Sequence, residues 1–475
     1  MSFRNLAATT LSTLLLTACV SNPMRQYDGE MKDTINLVKS GSTKQALNLL
    51  EKNNSSDSKD ILYYFEKGSI LSLDNHYPES TDSWTKADEV VREWEDAVKT
   101  DASKVMGNVG SFLINDKTRR YDGQDYEKVM LTTNIALNYL MQGNYDNARV
   151  AMQRTFERET IIKNFREKEY DKLSDEAKQN QVQSDVRQMK DYPMGELDTP
   201  EVNSLKNGYQ NAFAHYLAGY FFEVTNERSL AEPGYRNAVN LAPNSRLARE
   251  SLKNIGRNRP GPNQSDVLFV IESGFAPAWK SVMVPIPIPR KNGAIVTQFS
   301  FPIVKTENPG ELPGALSVAG KQLPVDTLSN IDAMSRRMLK DQMPGILLRT
   351  VIRSALKSVA QDQANKANPI LGLAANVATV ATEQADDRSW RMLPERIAVA
   401  RANLPVGMNT VEFQVGGRIV RADVAIGERF SIVPIRITGG QVFVGEPSIL
   451  GTLPAAAERN ERPAKRQPAK RPVNK

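Results

Sequence analysis

The chain has 475 residues, 40% hydrophobic and 24% charged, with a formal net charge of +6 and one cysteine, Cys19. Its length allows roughly two to four domains of ordinary core size. A single cysteine excludes an intramolecular disulfide framework, and beyond residue 20 no apolar run reaches the roughly 18 residues of a spanning helix.

At the start, Arg4 precedes an apolar run from Leu6 to Leu16 and then small residues, the layout of a secretory signal. Leu16-Thr17-Ala18-Cys19 resembles the lipobox of bacterial lipoproteins. The resemblance implies removal of 1–18 as a signal peptide, lipidation (palmitate among the acyl chains) of Cys19, and a tether over 19–27. Val20 stands where aspartate usually marks retention in the inner membrane, so the implied address is an outer-membrane lipid anchor facing the periplasm. Such an anchor leaves the folded body in water.

From 28 to 256 the pattern is helical, with few prolines and apolar residues at three- and four-residue spacing. Gly219, Ala231, Tyr235, Ala238 and Pro243 match the small, aromatic and proline positions of the 34-residue tetratricopeptide (TPR) pattern. Small residues let paired helices approach closely, and the aromatic wedges between them. Pro233 departs from the pattern and puts the first turn of the second helix in doubt. Weaker copies in the same register are Gly68, Leu71, Trp84 and Ala87, then Ala136, Tyr139, Ala148 and Met152, with a degenerate first unit at Leu37, Ala46 and Leu50. Four units are therefore expected. The charged insertion from Glu157 to Gln188 reads as a long exposed helix or as partly disordered.

Arg259-Pro260-Gly261-Pro262 marks a linker over 257–265. Period-two apolar runs follow, so 266–453 is expected to be a β-rich, sandwich-like domain with a helical insertion at about 325–385. Expected strands are 267–271, 282–288, 295–304, 397–402, 410–415, 419–426, 430–437 and 441–444. The prolines at 285, 287 and 289 confine the second to an edge or an extended segment. The insertion carries an apolar stripe of Leu348, Val351, Ile352, Ala355 and Val359 opposite Arg349, Arg353 and Lys357. A small-residue run around Ala374 and Ala378 follows it. The fold class is thus α+β multidomain, a TPR-like solenoid followed by the β-rich domain. The last segment, 454–475, is a basic disordered tail. Within it, 458–475 holds seven Lys or Arg against Glu458 and Glu461, which accounts for nearly all of the net charge. It suits contact with an anionic polymer or serves solubility alone. Nucleic acid is disfavoured, because the tail has no aromatic residue to stack on bases.

Catalysis needs placed groups, and few candidates occur. His76 and His215 are the two histidines, too few with Cys19 for a zinc cluster. No nucleophile elbow is present. Gly314 to Gln322 fails as a phosphate loop by one spacing and by glutamine where Ser or Thr should hold magnesium. The expectation is a non-enzyme with no metal and no cofactor. Binding remains: in the best repeat the groove-facing positions fall on Phe213, Tyr216, Tyr220 and Glu223, which either meet a partner or pack against the next domain. Arg388 and Trp390 either dock a partner or plug a helix exit.

Tyr121-Asp-Gly123-Gln-Asp-Tyr126-Glu127, Ala136-Leu-Asn-Tyr139, Glu272-Ser-Gly274-Phe-Ala276-Pro277 and Ala385-Asp386-Asp-Arg388-Ser-Trp390-Arg-Met-Leu393-Pro394 together resemble a family of TPR-containing lipoproteins of Gram-negative bacteria. No molecular activity is well defined for that family, and the resemblance implies association with small lipoproteins that activate penicillin-binding proteins. The expected function is a non-enzymatic outer-membrane-anchored periplasmic scaffold that holds another envelope protein through the TPR groove, in peptidoglycan synthesis or envelope assembly. The alternative is a component of an oligomeric secretion or surface-appendage complex that self-associates through helices at 344–381.

Overall fold

The computed structural model describes residues 27–106, 120–179, 189, 191–257, 259–290, 293–367 and 385–450. The signal peptide, Cys19, most of the tether, the basic tail, and Ala374 and Ala378 lie outside these residues, as do the side chains of Ile352, Ala355 and Val359. The fold is α+β.

The first half is a series of helical hairpins. Helices α1 (Tyr27–Lys39) and α2 (Thr43–Asn53), α3 (Ile61–Leu73) and α4 (Tyr77–Met106), α5 (Asp125–Met141) and α6 (Tyr145–Gln179), and α8 (Ala212–Val224) and α9 (Arg228–Leu241) form the pairs. A short α7 (Pro200–Ser204) and a closing α10 (Arg246–Lys253) complete this half. Each hairpin turns through three residues whose middle one adopts positive φ: Gly41, Asn75, Gly143 and Asn226. Glycine and asparagine are the residues that tolerate this conformation. Recurrence of one turn at four places is the backbone counterpart of the sequence repeat.

The small residues of the pattern act as expected. A Cβ added at Gly68 would lie 2.4 Å from the Trp84 indole nitrogen, and one at Gly219 would lie 2.7 Å from the Tyr235 ring. Pro233 lies inside α9, so the second helix of that unit forms around it. The charged insertion continues α6 as helix as far as Gln179.

The second half builds three sheets. Strands β1 (Gln264–Ser273), β6 (Asp326–Asn330), β7 (Arg396–Pro405), β10 (Phe430–Ile437) and β11 (Val442–Val444) form one in the order β11-β10-β1-β7-β6, with β12 (Ser448–Leu450) also on β10. Here β1 runs parallel to β10 and antiparallel to β7. A second sheet has the order β5-β4-β8-β9, from β4 (Ala315–Val318), β5 (Lys321–Pro324), β8 (Gly407–Val415) and β9 (Arg418–Ile426). The third is a hairpin of β2 (Ala278–Arg290) and β3 (Gly293–Lys305) alone. A long helix α11 (Ile331–Ala367) follows β6 and packs against β2 and β3.

The all-apolar run at 267–271 is explained by burial of β1 on both faces. Leu268 and Val270 join a core with the helical hairpins, while Val267, Phe269 and Ile271 join a second core with the β4, β8 and β9 side chains. The parts expected on either side of 257–265 share a core: one apolar cluster runs from Tyr27 in α1 to Ile432 in β10. The insertion is corrected, since it begins as strand β6 and becomes helical only at Ile331. Strands β4, β5 and β12 are additions to those expected.

Candidate functional site

The expected groove residues do not line an open surface. Phe213, Tyr216 and Tyr220 are 0% exposed. Asn211 caps α8 by accepting from the amides of Phe213 and Ala214, and this orients the helix across the main sheet. The Tyr220 hydroxyl donates to the Asp266 carbonyl on β1 at 2.9 Å, and its ring meets Phe430 of β10 edge-on. Tyr216 shares a hydrogen bond of 3.0 Å with Ser251. Glu223 accepts from Tyr235 at 2.7 Å and from Arg401 of β7 at 2.9 Å. Arg401 also grips the Asp266 carboxylate with two nitrogens and lies over the Tyr220 ring at 4.8 Å. The expected partner-binding role of these four residues is thus corrected. The β-sheet fills the face, because buried aromatics and an Arg-carboxylate network need a partner of matching size, and the chain supplies one.

Arg388 and Trp390 belong to a second internal docking. Trp390 is fully buried and stacks on Phe65 with centroids 4.3 Å apart and planes at 8°, and Trp84 meets it edge-on at 5.9 Å. Its indole nitrogen donates to Ser69 at 2.9 Å. Arg388 makes a bidentate pair with Asp386, 2.7 Å on each side, and lies over Tyr121.

Two carboxylates that sequence reasoning left without a role hold this segment. Glu127 of α5 accepts from the Trp390 amide at 2.6 Å, from the Tyr121 hydroxyl at 2.6 Å and from the Gln124 amide at 2.8 Å. Glu66 of α3 accepts from the amides of Arg391 at 2.7 Å and Met392 at 2.9 Å, and from the Tyr27 hydroxyl at 2.7 Å. Burial pushes the Glu66 carboxyl up to about 7, against the pull of those hydrogen bonds, and it also raises Glu127. An extended segment whose amides point at buried carboxylates is bound as a peptide ligand would be.

The segments carrying the family resemblance meet around this point. The Ala276 amide donates to the Leu393 carbonyl at 2.7 Å, and Glu272 shares with Asn138, Leu393 and Arg436 a buried cavity of about 70 Å³. Burial raises the Glu272 carboxyl and lowers Arg436 to about 10. These segments therefore build an interior junction between helices and sheet.

The accessible site lies elsewhere. A cleft between α6 and α11 opens in two lobes, of about 640 Å³ and about 200 Å³, that share Arg166, Glu169, Gln342 and Arg349. The outer lobe has Tyr170, 65% exposed, with Leu173, Tyr209 and Met338; the inner has Trp94, Tyr121, Phe165 and Trp279. Arg166 clasps the buried Asp125 through two bonds, 2.6 and 2.9 Å, and reaches Glu169 at 2.5 Å, while Arg349 stands 3.5 Å from Glu169. Burial would raise the Asp125 carboxyl, but Arg166 and Lys128 more than offset this and hold it below its ordinary range. Lys128 sits over the Trp94 ring at 4.4 Å, and burial lowers its pKa. The Gln342 amide nitrogen has no hydrogen-bond partner among the described residues. The Asp125 and Glu169 carboxylates are committed to Arg166 and Arg349, and the aromatic faces suit recognition of a polar chain.

His215 is buried and bonds Glu159 at 3.0 Å, stacked on Phe156, whereas His76 lies exposed near a hairpin turn. Among the described residues no group of three or more His, Cys, Asp or Glu could hold a metal, and no helix is long and apolar enough to cross a membrane.

No family model matches the chain, and no curated protein matches it. Among solved structures it is similar to a tetratricopeptide repeat protein from Parabacteroides merdae, at 14% identity, over 48% of this chain and 97% of that one, with a TM-score of 0.13.

Proposed function

We propose that the protein is a non-enzymatic scaffold, anchored in the outer membrane through lipid on Cys19 and facing the periplasm, that holds a segment of another envelope protein in the cleft between α6 and α11. The cleft carries the reading. It offers an aromatic inner lobe and the Arg349 guanidinium beside the Arg166–Asp125–Glu169 charge network. This suits a polar partner segment with a carboxylate or backbone carbonyls to accept from that guanidinium. The anchor rests on the Leu16-Thr17-Ala18-Cys19 resemblance.

The helical half is read as a degenerate TPR solenoid of four units, supported by the shared three-residue turns and by the Gly68–Trp84 and Gly219–Tyr235 contacts. Its usual ligand face is taken by the chain's own sheet and by 385–394, so the partner is assigned to the α6–α11 cleft beside that segment. Membership of the TPR-containing lipoprotein family, and a place in peptidoglycan synthesis or envelope assembly, belong to the same proposal.

The test is a photo-crosslinking side chain placed at Tyr170 on the rim, in cells carrying the full lipidated chain. The expected result is one discrete adduct, identified by mass spectrometry as an envelope protein and lost when Arg349→Glu is added. An adduct pattern unchanged by Arg349→Glu, in a variant with wild-type thermal stability, overturns the assignment to this cleft.

A further inference from the structure

The β2–β3 hairpin extends for thirteen residues on each strand and pairs with no other described strand. A two-stranded ribbon leaves two edges of unpaired amides and carbonyls, which proteins usually blunt with prolines or charges. The two edges here are treated differently. Their register pairs Pro285 with Gln298, Pro287 with Val296, Pro289 with Ala294 and Ser281 with Pro302. In an antiparallel ladder alternate residues turn their amide and carbonyl outward. All of these prolines fall in one alternate class, the class that does not donate across the ladder. The Pro302 carbonyl, which accepts from the Tyr192 hydroxyl at 2.7 Å, belongs to that outward class.

The outer edge of β2 is therefore silenced, since three successive outward positions have no N–H. The outer edge of β3 is not. Ala294, Val296, Gln298 and Ser300 turn their backbone groups outward, and among the described residues no backbone hydrogen bond takes them up. From Gly293 to Val304 the strand has no charged residue, so the usual guard against edge pairing is missing. Val296 is 66% exposed and Met283 of the neighbouring strand is 44% exposed.

We propose that the outer edge of β3 is a self-pairing surface, through which two copies of the chain join antiparallel with Thr297 on the two-fold axis. A strand edge without charge and with free groups is its own complement when reversed. Pairing the outward class as a whole sets Ala294 opposite Ser300 and Val296 opposite Gln298 of the second copy, which puts Thr297 opposite itself in a non-hydrogen-bonded pair. The silenced β2 edge forbids head-to-tail addition, so the contact closes as a dimer and does not propagate into a ring or filament. This surface adjoins the inner lobe of the α6–α11 cleft at Ser300 but does not rest on the scaffold reading.

The experiment uses the full chain, detergent-extracted from membranes, with mass by light scattering and disulfide capture on non-reducing gels. The expected results are a particle of twice the chain mass and an intermolecular disulfide in Thr297→Cys that is missing from wild type and from Ile419→Cys, an exposed position on β9. Val296→Pro removes one outward amide and leaves the β2–β3 ladder intact, so it should give a monomer with unchanged thermal stability. Gln298→Lys should weaken the dimer at least tenfold, with partial recovery in high salt. A wild type that stays monomeric at tens of micromolar, particles larger than a dimer, a Val296→Pro protein that still dimerises, or equal capture at Ile419→Cys would each overturn the proposal.

Discussion

Glu66 makes a prediction with a definite sign. Its carboxyl is buried between α3 and the 385–394 segment, and its folded pKa stands at about 7 against a reference of 4.5. Folding therefore takes up a proton between those values, and the stability from this group is complete below pH 4.5 and lost as pH rises through 7. At about 1.4 kcal/mol per pH unit over that interval, the loss is about 3 kcal/mol. Glu66→Gln removes the titration while keeping one acceptor for the Arg391 and Met392 amides. Urea unfolding of both proteins at intervals from pH 4.5 to 8 measures the effect. The stability of wild type relative to the variant should fall by about 3 kcal/mol across the range, with most of the change between pH 5 and about 7. A difference that stays flat, or that grows with pH, would refute the reasoning and mean that the three donors keep the carboxylate ionised in the folded state. Taking the difference between two proteins cancels other groups, among them Asp125, whose lowered pKa acts with the opposite sign.

Other outcomes follow from the same geometry. Trp390→Ala removes the plug between Phe65 and Trp84 and the hydrogen bond to Ser69, and should destabilise by about 3–5 kcal/mol in chemical denaturation. Arg401→Met leaves the Asp266 and Glu223 carboxylates buried without a cation and should lose about 3–5 kcal/mol, part of it regained when Glu223→Gln is added. Gly219→Ala places a methyl 2.7 Å from the Tyr235 ring, which must give way, so differential scanning calorimetry should show a loss of about 1–3 kcal/mol. On the lipid-anchor proposal, Cys19→Ser should abolish acyl incorporation and move the protein from the membrane fraction to the soluble one, as followed by mass spectrometry of the N-terminal peptide and by fractionation.

Local chemistry was legible in the sequence wherever a residue's role depends on near neighbours. Gly219 with Tyr235 and Gly68 with Trp84 are such pairs, as are the prolines of β2 and the buried run at 267–271. Roles set by distant chain were not. Glu66 and Glu127 each read as one more helical glutamate, because the 390–392 amides they hold belong to residues more than 260 positions away. Tyr216 and Tyr220 occupy groove-facing positions, yet nothing near them in sequence says that β1 and β10 cover them. Strands β4, β5 and β6, of four or five residues, are too short for their alternation to stand out. The accessible cleft escaped notice because its two walls, α6 and α11, are brought together only by the fold.

Pairing of β1 with β10 also sets the order in which this protein can be made. The strand that closes the core against the helices arrives only with residues 430–437, after almost all of the chain has been synthesised, and parallel pairing over such a separation is slow to nucleate. Until then the aromatic face of α8 lacks its natural cover. A chain built this way lacks its closing strand for most of its synthesis and exposes sticky surface for the same interval. Chaperones would meet it as a long-lived client, and a truncation just short of Phe430 would leave the helical half insoluble instead of independently folded.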